Sequence, residues 1–142
     1  MAHTSLRLLA EDGHDLEIIS AATQDAIFRV ADAVRLPSAR RFTLKVQRYV
    51  WEVSGATDKG ERVWAALSFD GVLSVRAKQV AQSRRDAFAS LLAIRFEAGQ
   101  APAGTVTLDL ADGGTIALDV ECLDAVLADL GDAREAVGRP QH

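Results

Sequence analysis

The amino-acid sequence predicts an α+β fold: an antiparallel meander, rolled into a barrel or a bent sheet, with an N-terminal helix and a C-terminal capping helix. Three observations predict it. Strand-like runs follow one another through short turns rich in Asp and Gly, and helical segments do not alternate with them, which argues against a doubly wound parallel sheet. The clearest runs alternate between apolar and polar residues, as strands do when one face is buried. Apolar residues make up 49 % and charged residues 25 % of 142 positions, an ordinary globular balance in a chain long enough for a core of its own.

Taken in order, "SLRLLA" (5–10) gives a short first strand. Leu16, Ile19, Ala22, Ala26 and Ile27 fall near helical spacing and predict a helix over about residues 14–24. Phe28, Val30, Val34 and Leu36 then alternate as a strand over about 27–36, ended by Pro37. In "RFTLKVQRYVWE", Phe42, Leu44, Val46 and Val50 share one side, and Thr43, Lys45, Gln47, Tyr49 and Trp51 share the other. Asp70-Gly71 separates two further runs and predicts a hairpin, with Val63, Ala65, Leu67 and Phe69 inward before the turn and Leu73, Val75 and Ala77 after it. "AQSRRDAF" (81–88) reads as a loop or a single helical turn, and "LLAIRFE" as a strand through Leu92, Ile94 and Phe96.

The strongest hairpin lies near the C-terminus. Val106, Leu108 and Leu110 precede the turn Asp112-Gly113-Gly114, and Ile116, Leu118 and Val120 follow it. The period then changes. Leu123, Val126, Leu127 and Leu130 stand at i, i+3, i+4 and i+7 and predict the closing helix, stopped by Gly131. Cys122, the only cysteine, falls in the first turn of that helix at the edge of its apolar stripe, with Glu121 and Asp124 facing the positive end of the helix dipole. That reads as a structural thiol rather than a reactive one. Residues 1–131 form one domain of six or seven strands, and 132–142 a flexible tail. Of known architectures, this order looks most like a pleckstrin-homology-type barrel, in which a C-terminal helix plugs one open end. The analogy carries no function.

Several kinds of chemistry are excluded by pattern. The histidines are His3, His14 and His142, and no zinc-binding His or Cys spacing exists. Neither common phosphate-binding glycine loop nor a nucleophile elbow occurs, and the acids from Asp109 to Glu121 lack the oxygen spacing of a calcium loop. No catalytic residue, metal site or cofactor is assigned. No signal peptide or transmembrane stretch is present, and one cysteine with no partner fits a reducing cytoplasm.

The net charge of −4 is uneven. Residues 24–95 carry 13 basic and 7 acidic side chains, and the rest of the chain carries 3 and 13. The two parts either pair across the fold, which is the ordinary outcome, or leave a basic surface for an anion. Net acidity and the lack of a base-reading motif argue against nucleic acid.

The candidate surface comes from the middle strands. Lys45, Tyr49 and Trp51 share the outer face of one strand, Trp64 the outer face of the next, and the turn "RLPSARR" adds Arg35, Arg40 and Arg41. Large aromatics outside a core mark an interface, unless the N-terminal helix covers them as a second small core. Two functions follow. One is a non-catalytic binding module for a protein partner or an anionic ligand, a homodimer through the aromatic face being one version. The other is a small enzyme with an acid/base site between sheet and N-terminal helix, using Asp32 and His14. Asp119 and Glu121, on one strand face, are solvated rather than catalytic on this reading.

Three stretches together resemble an uncharacterised, chiefly alphaproteobacterial family, domain of unknown function 2948: "LPSARRFTLKVQRYVWE", "LLAIRFE" and "PAGTVTLDLADGGTIALDVECLDAVLADLG". The similarity runs from about Leu6 to Gly131. It implies a small cytoplasmic bacterial protein with no assigned activity, and it supplies no site residues.

Overall fold

Alternation of apolar and polar residues is converted into strands over more than half of the described residues. The computed structural model describes residues 5–50, 61–80 and 84–130. These form β1 (Arg7–Ala10), α1 (Gly13–Ala22), β2 (Ile27–Arg29), a 3-10 turn (Val30–Asp32), β3 (Ala33–Leu36), a second 3-10 turn (Pro37–Ala39) and β4 (Arg41–Tyr49). Then follow β5 (Arg62–Asp70), β6 (Val72–Lys78), β7 (Phe88–Ala98), β8 (Gly104–Leu110), β9 (Thr115–Val120) and β10 (Ala125–Asp129).

All pairings are antiparallel, and the strands run in the order β1-β10-β5-β4-β2-β7-β8-β9-β6, with β3 beside β4. The sheet bends so that inward side chains from both halves meet in one core. Phe42, Leu44, Val46, Leu67 and Phe69 meet Leu108, Leu110, Ile116 and Leu118 there. It does not close. Beyond β3 on one side and β6 on the other, a seam remains, spanned by an N–H of the Arg35 guanidinium that donates to the Leu73 carbonyl at 3.0 Å.

The N-terminal helix forms as expected. Asp12 caps it, its carboxylate accepting the Asp15 N–H at 2.8 Å. Leu16 and Ile19 are buried in the core, and α1 packs on β7 and β1. The C-terminal hairpin β8–β9 also matches, with every predicted inward residue buried and Gly113 at φ +99° in the turn.

Other expectations are corrected. Residues 123–130 do not form a closing helix; Ala125–Asp129 is a strand inserted between β1 and β5. Leu123, Ala125 and Leu127 are buried while Asp124 and Leu130 are exposed, so the working period is 2. Four apolar residues at 123, 126, 127 and 130 suit a helix by spacing, but two waiting strand edges offer backbone partners on both sides. Cys122 consequently lies exposed in the bend before β10, not against an apolar stripe.

Asp70-Gly71 does not make a hairpin either. β5 pairs with β4 and β10, whereas β6 pairs with β9. Gly71, at φ +72°, turns the chain from one half of the sheet to the other, and the Val72 N–H donates to the Arg40 carbonyl at 2.9 Å. The strand expected over 27–36 is split by a 3-10 turn at Val30–Asp32, and the strands number ten among the described residues rather than six or seven. The expected C-terminal tail, 132–142, lies outside the described residues.

Candidate functional site on the outer sheet face

On β4 the inward parity takes Phe42, Leu44, Val46 and Arg48, continued by Val50 just beyond the strand, leaving Lys45, Gln47 and Tyr49 outward. Register sets Lys45 beside Ala66, Gln47 beside Trp64, and Tyr49 beside Arg62. Cations cover the aromatics: Lys45 Nζ stands 4.7 Å from the Trp64 ring centroid, and the Arg62 guanidinium 4.5 Å from that of Tyr49. The N-terminal helix, lying on β7 and β1, is not their cover. Trp51 lies outside the described residues.

The same face continues across β2 onto β7. Gln47 pairs with Ile27, which pairs with Ser90, while Arg29 pairs with Phe88 and sets its guanidinium 5.3 Å over that ring. β2 pairs with β4 only at Ile27, and after the 3-10 turn the pairing to β4 resumes at Ala33, opposite Leu44. The gap is a cleft of about 390 Å³ lined by Ile27, Arg29, Asp32, Gln47, Trp64 and Phe88, among others. Phe88 is 67 % exposed.

Of the predicted site residues, Lys45, Tyr49 and Trp64 are brought together. The three arginines of the turn are not. Arg40 is ion-paired with Glu121, and Arg41 Nε donates to Asp70 Oδ1 at 2.7 Å. Arg35 turns the other way, toward the seam. Sequence reading missed Phe88 and Arg29. Phe88 was assigned to a polar loop, although it stands at the outward parity of a strand that begins with it.

A family model described as "Protein of unknown function (DUF2948)" matches residues 6–142. The chain belongs to this family. No curated protein and no solved structure matches it. The DUF2948 match takes in α1 and all ten strands, so the outer cleft is built wholly from residues inside the family region.

Part of the charge of this DUF2948 chain is paired within the fold. Five ion pairs join described residues, and four of them link the basic middle to the acidic C-terminal part: Arg40–Glu121, Arg48–Asp129, Arg76–Asp119 and Arg95–Asp109. Arg48 and Asp129 have fully buried side chains and meet in a two-pronged pair, Nε to Oδ1 at 2.8 Å and a terminal nitrogen to Oδ2 at 2.9 Å. Asp129 also accepts the Leu6 N–H at 2.9 Å, which fastens the start of β1 to β10 and β4. The sequence signal was present, since Arg48 occupies an inward position of an alternating strand.

Asp119 and Glu121, the two acids expected on one strand face, and Asp109 are each held by side chains of the same chain. Hydrogen bonds from Ser74 and then Arg76 keep the Asp119 carboxyl below the ordinary range, and the bond from Arg95 does the same for Asp109. Glu121 is taken by Arg40. Asp32 is half-buried at the cleft, whereas His14 is exposed at the start of α1 and does not line that cleft. No cluster of three or more metal-ligating side chains occurs among the described residues. No helix among them is long and apolar enough to cross a membrane.

Proposed function

We propose that the protein is a non-catalytic binding module that holds a protein partner on the outer face of β5, β4, β2 and β7. The observation that carries this reading is the cleft between Trp64 and Phe88, floored by Gln47 and Ile27. Two large aromatics flanking a floor of one polar and one apolar side chain receive an apolar anchor from a partner. Lys45, Arg62 and Arg29, stacked over rings, still present N–H donors to carboxylates flanking that anchor. A protein partner is favoured over a free anion because Arg40 and Arg41 are neutralised by acids of the same chain. We further read the bent sheet as a pleckstrin-homology-like barrel whose plug is α1. The unpaired, exposed Cys122 suits a reducing cytoplasm.

The test uses the intact chain as bait in a lysate of its source organism, beside the double variant Trp64→Ala/Phe88→Ala. A partner retained by the parent and by an Arg40→Ala control, and released by the double variant, is the expected result. Retention by the double variant, or no partner at all together with no self-association in sedimentation velocity, overturns the reading.

A further inference from the structure

We propose that the open seam between β3 and β6 is a second, separate site, and that its occupant is a free single-chain fatty carboxylate. Register determines what lines it. Arg35 pairs with Phe42 and Ala33 with Leu44, and directly paired residues share a face, so both stand on the inward side of the sheet, Ala33 half-buried and Arg35 exposed at its open edge. Across the gap Val75 pairs with Leu118 and Ala77 with Ile116, which turns them inward as well. Together with Val30, Val80 and Arg85 they enclose a cleft of about 330 Å³. Phe42 and Ile116 at its base are 3 % and 4 % exposed and belong to the hydrophobic core. The cleft is thus floored by side chains of the core. Its volume stands at the small end of ligand sites, which suits one acyl chain and not the two of a membrane phospholipid.

Charge complementarity selects the head group. Arg40, Arg41, Arg48, Arg76 and Arg95 each hold a carboxylate of this chain. The two arginines lining the seam do not. Among the described residues, Arg35 makes one bond to the neutral Leu73 carbonyl, and Arg85 bonds through its own backbone carbonyl, which accepts the Ala31 N–H at 2.8 Å. Two arginines that hold no carboxylate among the described residues, lining a cleft with seven apolar residues, match a monoanionic carboxylate on an alkyl chain. A partner strand fits less well, because Arg35 already takes the Leu73 carbonyl on the β6 edge that such a strand would need.

The experiment is calorimetric titration of sodium decanoate, below its micelle concentration, into the full chain, with decanol as the uncharged control. One saturable decanoate site is expected, weakened on the order of tenfold or more in Arg35→Gln/Arg85→Gln, partly restored in Arg35→Lys/Arg85→Lys, and lost in Ala77→Phe, which fills the cleft. Both arginines are exposed, and an unchanged urea midpoint verifies that the glutamine variant folds. Absence of saturable binding, equal affinity in the glutamine variant, or decanol binding as tightly as decanoate overturns the proposal. So do ligand-induced chemical-shift changes centred on Trp64 and Phe88 instead of Val75 and Val80, or a dimer in sedimentation velocity that is abolished by Ala77→Phe.

Discussion

Arg48 is the residue on which sequence and structure diverge most. It sits where the strand pattern calls for an apolar side chain, and in its fully buried place Asp129 meets it with both carboxylate oxygens while the Tyr49 carbonyl accepts a further guanidinium N–H at 3.0 Å. Removing one partner strands a buried charge, so Arg48→Met is expected to cost about 3–5 kcal/mol in urea unfolding, and Arg48→Met/Asp129→Leu to regain most of it. A double variant no more stable than the single one contradicts this. Asp119 and Asp109 act differently, at the surface. Their folded pKa values are depressed, so the stability they contribute is present above the ordinary carboxylate pKa and is lost as pH falls through the lower folded value. Asp119→Asn is therefore expected to lower the urea midpoint near about pH 6 while flattening its fall below about pH 4. A parallel fall in both proteins removes Asp119 from the acid response.

Among elements, β10 carries the clearest lesson. A helix over 123–130 would bury Val126 and leave Ala125 aside, whereas the strand buries Ala125 at 1 % exposure and turns Val126 outward, beside Ser68 and Leu9. Ala125→Asp is thus expected to destabilise by several kcal/mol, and Val126→Thr to stay within about 0.5 kcal/mol. The reverse ranking in denaturant unfolding would restore the helix. β2 and β3 show the same dependence on context. Alternation over 27–36 reads as one strand, yet the 3-10 turn at Val30–Asp32 breaks it and thereby opens the outer cleft. Alternation in single strands is a local property and survives. The choice between a strand and a helix for a short apolar run depends on which edges are waiting for it.

For the whole molecule, opposite charges at sequence distances of 14 to 81 residues are brought into pairs, so the uneven charge map of the chain becomes mutual neutralisation. Arg35 and Arg85 at the seam are among the described cations that hold no carboxylate. The predominantly antiparallel sheet, α1, the β8–β9 hairpin and the outward set Lys45, Tyr49 and Trp64 were determined by the sequence, because period, caps and turn residues act over a few positions. The partners of β6 and β10, the burial of Arg48, the arrival of Phe88 beside Trp64 and the open seam were decided only in the tertiary structure. Each depends on which distant strand supplies the neighbouring backbone, and a one-dimensional pattern holds no record of that choice.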